Sequence, residues 1–222
     1  MIFYDISMTI KEQMAVYKDK EEKRPHLIVK SDFSNSPVYE TRLELDLHTG
    51  THIDMPRHVF PDGTTSEHWG HEEFFTRCVV LDFTSSDDEM VTARHLEDKD
   101  TEKHISNPTI KRGKTVLLKT KNSLQDAFDF NFTYLARSGA AYLAKKNIRG
   151  VGIDALGIER NQAGHATHKL LLKAGIWIIE GLCLREVPEG DYILAVMPLK
   201  VKGVEAMPAR AVLLDPNAML IP

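Results

Sequence analysis

Four side chains that can bind a metal ion lie close together in residues 48–58, HTGTHIDMPRH. They are His48, His52, Asp54 and His58, with the spacing H-x3-H-x-D-x3-H. Imidazole nitrogens and carboxylate oxygens are the ligands of zinc, manganese or iron in proteins. The helical H-E-x-x-H pattern of metalloproteases is missing. The segment therefore predicts a metal site rather than an ordinary polar surface loop.

The residues around this cluster predict a strand, a turn and an extended stretch. Residues 42–48 alternate between polar and apolar, which predicts a half-buried strand with His48 at its end, its imidazole away from the core. Residues 49–51 are Thr-Gly-Thr and predict a turn, because glycine adopts conformations that other residues resist. In extended chain, His52 and Asp54 are two residues apart and face the same side.

A second pair of candidate ligands lies on a predicted helix and strand. Residues 166–173 predict a helix that Gly175 ends. Residues 176–184 are apolar on both faces, which predicts a central buried strand with Glu180 in its apolar face. Because a buried carboxylate needs a cation, we expect Glu180 to face a metal, although Arg or Lys would also serve. His168 is then a candidate for the same metal or for a second one, rather than a hydrogen-bonded core residue.

Length and composition favour one globular unit. The chain has 222 residues, 42% of them hydrophobic, and a net charge of −4, which gives no reason to expect nucleic acid as a partner. No apolar run approaches ~18 residues and no signal peptide is evident, so we expect no membrane association and a cytoplasmic location. Cys78 and Cys183 lie in apolar runs without a CxxC pattern and are predicted to be buried thiols.

Strand and helix patterns alternate along the chain, which predicts an α/β fold: a single domain over residues 1–222, with a mixed sheet and packed helices. The other predicted strands are residues 1–7, 78–83, 115–118 and 150–154, and a further helix is predicted at 138–146.

The chain resembles the cyclase family of metal-dependent hydrolases, which includes bacterial kynurenine formamidases and isatin hydrolases. The family signature H-x-G-T-H-x-D-x-P-x-H is matched from His48 to His58. The family also has a downstream His with a Glu twelve residues later, a spacing that His168 and Glu180 keep. Weaker similarity extends over residues 4–215.

The resemblance implies a set of metal ligands and a choice of metal. His48, His52 and Asp54 would bind a first ion, and His168 and Glu180 would bind a second together with a carboxylate, in the first place Asp54. One or two divalent ions per chain are expected. Zinc is typical of the kynurenine formamidases, whereas isatin hydrolases favour manganese.

The resemblance also implies a fold and a chemistry. The fold would be of the swivelling β/β/α type, assembled as a homodimer or homotetramer. A metal lowers the pKa of its water to about 7, and the resulting hydroxide would attack an amide or formyl carbonyl. His58 would act as the acid/base that protonates the leaving amine, or as a further ligand. An aryl amine leaves well, which suits hydrolysis of N-formylkynurenine to kynurenine and formate, a C–N cleavage of tryptophan catabolism. The serine alternative is disfavoured because the chain has no G-x-S-x-G.

Two departures from the family pattern keep other functions open. Residues 14–17 and the charged run 18–24, predicted to be a solvated loop, replace a Pro- and Trp-rich segment near the substrate. Gly157 replaces a common serine. The alternatives are a hydrolase that opens a cyclic amide or lactone, as isatin hydrolase does, and a non-catalytic module that a metal stabilises for assembly.

Overall fold

The computed structural model describes residues 3–101 and 109–216. Within these ranges the chain forms β-strands and short α-helices, joined by loops and single 3-10 turns. In chain order they are β1 Phe3–Asp5, β2 His26–Ser31, β3 Glu40–Glu44, β4 His52–Asp54, β5 Phe75–Asp82, β6 Met90–Val91, α1 Ala93–Thr101, β7 Thr115–Lys119, β8 Tyr134–Leu135, α2 Arg137–Lys145, β9 Gly150–Ile153, α3 Ala166–Lys173, β10 Trp177–Glu180, β11 Gly190–Pro198 and β12 Ala206–Leu214.

Eight strands form one mixed sheet in the order β1, β12, β11, β5, β7, β9, β10, β4. The strands β5, β7, β9 and β10 are parallel neighbours, and the remaining pairs are antiparallel. The short strand β4 pairs with β10 on one edge and with β12 on the other. The sheet therefore closes into a ring that contains every one of these strands except β1, and neither edge of β4 is free.

The parallel strands are apolar on both faces because each face is covered. On the outer face, residues such as Val79 and Val116 pack against apolar side chains of the three helices. On the inner face, Val80 and Leu117 pack around the buried Trp177 and fill the ring. This packing accounts for the apolar runs that predict these strands.

Most predicted elements lie where the sequence places them, and the α/β class with a mixed sheet is confirmed. The helix predicted at 166–173 has these bounds, and the helix predicted at 138–146 is α2, Arg137–Lys145. Gly175 ends α3 with a φ of 72°. Predicted strands correspond to β1, β5, β7 and β9. That residues 1–222 form one domain stays a prediction.

Three predictions of local structure are wrong. Strand β3 ends at Glu44, and His48 lies in a turn. Among the described strands β3 pairs with β2 alone, in a separate hairpin, and all five of its residues are exposed. Strand β10 ends at Glu180 instead of running to residue 184, because Gly181 has a φ of 68°. Cys183 is consequently exposed, whereas Cys78 is buried as predicted.

A helix needs about 20 mainly apolar residues to span a bilayer, and the helices described here lie within residues 3–101 and 109–216. None of the helices in these ranges is both long enough and apolar enough to cross a membrane.

Candidate metal centre

Strand β4 places two of the predicted ligands at the end of β10. His52 and Asp54 are both buried, and His52 pairs in register with Glu180 of the neighbouring strand. The pairing explains why Glu180 is buried although it is the last residue of its strand. Three polar side chains are thus gathered by backbone pairing alone.

The turn before β4 brings His48 to the same place. Gly181 leaves the strand in a left-handed conformation, and its backbone lies so close to Gly50 that a Cβ on Gly181 would be 2.5 Å from the Gly50 carbonyl oxygen. The hydroxyl of Thr51 donates to the Gly181 carbonyl at 2.5 Å. These contacts hold the turn against the end of β10, and the imidazole of His48 faces Asp54 as a result.

Helix α3 supplies His168 from the opposite side, and a carboxylate anchors the first turn of this helix. Oε2 of Glu159 accepts a hydrogen bond from the backbone N–H of Thr167 at 2.8 Å. Oε1 of the same residue lies 2.7 Å from Nδ1 of His168. The ring of His168 is therefore fixed with Nε2 toward β4.

The donor atoms form two groups that share Asp54. In the first group, Nδ1 of His48 lies 3.3 Å from Nε2 of His52 and 3.0 Å from Oδ1 of Asp54, which is 3.5 Å from Nε2 of His52. In the second, Nε2 of His168 lies 3.4 Å from Oδ2 of Asp54 and 3.3 Å from Oε1 of Glu180. Atoms bound at about 2.1 Å to one ion, at tetrahedral or octahedral angles, lie roughly 3.0–3.4 Å apart.

Hydrogen bonds on the far side of two rings set which nitrogen faces the centre. A carbonyl or a carboxylate can only accept, so Nδ1 of His52 donates to the Gly50 carbonyl at 2.9 Å and Nδ1 of His168 donates to Glu159. In both residues Nε2 is left for a ligand. Burial alone would raise the pKa of Glu159, but the hydrogen bond from His168 lowers it, which keeps this carboxyl ionised.

The charges of the cluster are strongly coupled. Burial alone would raise the pKa of Asp54, but the surrounding imidazoles of His168, His48 and His52 hold it well below its usual value. Burial would lower the pKa of His52, but Asp54 and Glu180 outweigh it and raise this pKa to about 9. The carboxylates raise the pKa of His168 in the same way. The cluster therefore favours positive charge at its centre.

Asp54 shows that the residues fit a divalent metal. Both of its oxygens are buried, and neither accepts a hydrogen bond from any residue in the described part of the chain. A buried carboxylate whose oxygens accept no hydrogen bond is costly, and a cation bound between Asp54 and the neighbouring imidazoles would remove this cost. The surrounding donors are nitrogen and oxygen without sulfur, the set that suits zinc or manganese.

His58 lies beside the donors, at the end of a 3-10 turn over Pro56–His58. Its ring centroid is 4.3 Å from that of His48 and 5.4 Å from that of His168. Burial lowers the pKa of His58, so its ring is neutral near pH 7. Such a ring can accept a proton or bind a metal.

A cavity of about 360 Å³ opens directly over these groups. His48, His58, His168 and Glu180 line it on the side of the centre. Other parts of its wall come from Tyr17 and Lys18 and from the loop between β9 and α3. A small molecule in this cavity would contact both the centre and the charged segment near residue 18.

All six predicted site residues are brought to one place; they are His48, His52, Asp54, His58, His168 and Glu180. Their roles as ligands and as acid/base stay predictions. Sequence reasoning missed Glu159, which lies in an irregular loop without a periodic pattern that could reveal it. It also assigned residues 18–24 to a solvated loop, whereas Lys18 and Lys23 line the cavity.

The chain is similar to known proteins in both its sequence and its fold. Residues 4–160 match the Cyclase family model, described as "Putative cyclase". The kynurenine formamidase of Polaromonas naphthalenivorans is 29% identical over 95% of this chain and 89% of its own length. A "predicted metal-dependent hydrolase" from Bacillus stearothermophilus is 45% identical, with a TM-score of 0.83 over 96% of this chain and 97% of the other. Isatin hydrolase A from Labrenzia aggregata shares the fold, with a TM-score of 0.81 and 23% identity over 96% of this chain and 93% of its own.

Proposed function

The chain belongs to the cyclase family, and from this membership we propose that it is a metal-dependent hydrolase of non-peptide C–N bonds, an aryl formamidase that converts N-formylkynurenine to kynurenine and formate. The observation that carries the proposal is Asp54, whose two buried oxygens accept no hydrogen bond within the described residues and face two groups of donor atoms beneath a cavity. This reaction would place the protein in tryptophan catabolism.

His48, His52 and Asp54 would hold one divalent ion, and Asp54, His168 and Glu180 a second. Zinc is the first choice for this donor set and manganese the alternative. When bound, such ions lower the pKa of water and polarise a carbonyl oxygen. The side chains around the cavity would bind the substrate and transfer protons.

His58 would move the proton during hydrolysis. Its neutral ring accepts a proton from the attacking water, whose oxygen forms a bond to the formyl carbon. The imidazolium then donates that proton to the leaving nitrogen as the C–N bond breaks, so formate and the free aryl amine are released. The lowered pKa of His58 suits this double role because the ring begins the cycle unprotonated.

The cavity favours catalysis over a non-catalytic assembly module. A metal that only stabilises assembly needs a closed set of ligands, whereas this centre is open to a cavity of about 360 Å³ with His58 beside it.

Assembly with a second copy, as a homodimer or homotetramer, is part of the proposal. In the hairpin of β2 and β3, Leu27, Val29 and Leu43 are 46%, 48% and 46% exposed. Leu27 and Leu43 are paired across the two strands, so they share one face. A two-stranded sheet is marginally stable by itself, and a second copy that covered this face would support it.

The free thiols fit the proposed cytoplasmic location.

The decisive experiment is hydrolysis of N-formylkynurenine by protein loaded with zinc or manganese, beside a chelated sample. We expect rapid release of kynurenine that chelation abolishes and added metal restores. Release that survives chelation, with metal removal verified, would contradict the role of the metal. Hydrolysis of isatin without hydrolysis of N-formylkynurenine would establish the ring-opening alternative.

A further inference from the structure

The wall of the cavity carries a lysine, Lys18, whose ammonium group is exposed. Lys18 is exposed and lines the cavity, and it forms no ion pair with any residue in 3–101 or 109–216. Its Nζ lies 5.4 Å from the ring centroid of Tyr17, which also lines the cavity. The other lysine of the wall, Lys23, is neutralised by Asp46 at 3.2 Å. Of the two lysines in this wall, Lys18 is therefore the one whose ammonium group can bind an anionic group of a ligand.

The backbone is held in an uncommon conformation where it presents Lys18. Lys18 has φ 58° and ψ 22°, and Asp19 has φ 51°, values that cost about 1 kcal/mol or more for a residue with a side chain. Arg24 holds this segment on both sides. It donates to Oδ1 of Asp19 at 2.6 Å and to the carbonyl of Met14 at 3.0 Å. The position of Lys18 is thus fixed by surrounding contacts rather than by its own preference.

We propose that Lys18 binds a carboxylate of the substrate, remote from the bond that is cleaved, and so selects aryl amides that carry a carboxylate over those that lack one. The inference rests on the proposed function, because it assigns a second part of the wall of the same cavity. The side of the cavity that His168 and Glu180 line receives the amide, and Lys18, on another part of the wall, receives the negative charge. An ammonium and a carboxylate form a charge-assisted hydrogen bond, which is worth more than a neutral one.

The test compares two substrates that differ in charge. N-formylkynurenine carries the carboxylate, and its carboxamide analogue does not. In the metal-loaded enzyme we expect Lys18→Met to raise KM for N-formylkynurenine about tenfold, with kcat within about twofold, and to leave both constants for the carboxamide unchanged. Lys18→Arg keeps the charge and should restore most of the affinity.

Lys20→Met is the matched control, since Lys20 is two residues away, pairs with Glu22 at 3.2 Å and does not line the cavity. It should leave both substrates unaffected. An equal loss on both substrates in Lys18→Met, or no loss on either, overturns the inference.

A binding measurement separates this inference from the proposed function. Calorimetry of the metal-loaded protein with kynurenine and with kynurenine carboxamide needs no turnover. If the wild type hydrolyses neither formyl substrate, the proposed function fails, and calorimetry still decides the role of Lys18. If the wild type binds kynurenine more tightly than the carboxamide and Lys18→Met loses this difference, the carboxylate site is supported. If the wild type and Lys18→Met bind kynurenine with equal affinity, the carboxylate site is contradicted.

Discussion

The imidazole of His168 is oriented by Glu159, which accepts a hydrogen bond from its Nδ1 at 2.7 Å. The same carboxylate caps the first turn of α3 through Thr167. Nε2 of His168 therefore faces Asp54 and Glu180 in a fixed direction.

Replacing Glu159 should weaken metal binding without unfolding the protein. We expect Glu159→Gln to lower the affinity of the His168 site about 10–100-fold, because outer hydrogen bonds fix the tautomer and orientation of ligand histidines. Calorimetric titration with zinc measures the change. Glu89→Gln is the control, since it alters an exposed carboxylate that pairs with Arg160. Equal affinities in the two variants would contradict the role of Glu159.

Asp54 and Glu180 should differ in the number of ions that they control. Asp54 faces both donor groups, so Asp54→Asn is expected to remove both ions, whereas Glu180→Gln should remove mainly the second. Metal content per chain after dialysis, measured by mass spectrometry of the elements, gives the stoichiometry. Two ions retained in Asp54→Asn would rule out a shared carboxylate.

His58→Ala should lower turnover sharply and keep the metal. The donors of His48, His52 and Asp54 form a group without His58, so metal content should stay at the wild-type level. Loss of a general acid/base lowers kcat by about 10²–10⁴-fold. Loss of metal from this variant would instead identify His58 as a ligand.

The stability of the metal-free protein should fall as the pH rises. Asp54 and Glu180 raise the pKa of His52 to about 9, against the effect of burial. A raised histidine pKa stabilises the fold fully below its ordinary value of about 6.5, and this contribution is lost as pH rises through about 9. We expect the melting temperature with chelator to drop by roughly 5 °C across that window.

Bound metal should flatten this pH dependence, because a ligand histidine is neutral at every pH of the window. Scanning fluorimetry at a series of pH values, with chelator or with zinc, measures both curves. His52→Gln should remove the dependence, while His71→Gln, at an exposed histidine, should not. An unchanged slope in His52→Gln would assign the effect to other groups.

Assembly should depend on the hairpin. Leu27→Glu combined with Leu43→Glu places two like charges directly across the paired strands, on the face proposed to contact a second copy. We expect sedimentation analysis to show a smaller species than the wild type. Leu124→Glu, at a leucine that is 55% exposed elsewhere, is the control. A wild type that sediments as a monomer would refute the proposed assembly.

The parts of the site that follow local patterns could be predicted from the sequence. The bounds of α3 depend on its own residues and on Gly175, and His52 and Asp54 share a side because β4 is extended. The burial of Glu180 could be predicted as well, because the strand before it is apolar on both faces.

The parts that depend on contacts between distant segments could not. The alternating polar and apolar residues 42–48 do not pack on a core, because β3 belongs to a hairpin apart from the main sheet. No local sequence pattern reveals this separation. Glu159 acquires its role only when its loop folds onto α3. Lys18 lines the cavity in a segment that Arg24 holds through Met14 before it and Asp19 after it, whereas its sequence neighbours suggest only a solvated loop.

Strand β4 is hydrogen-bonded to β10 and to β12, so the closed ring of strands fixes His52 and Asp54 as part of folding. The conformational entropy of these two ligands is therefore lost during folding, and metal binding does not have to order them. We therefore expect the protein to release one metal and take up another while its sheet stays intact. Because a site of N and O donors accepts several divalent metals, the ion that is bound should depend on which metals are available around the folded protein, and not on which metal was present while the chain folded.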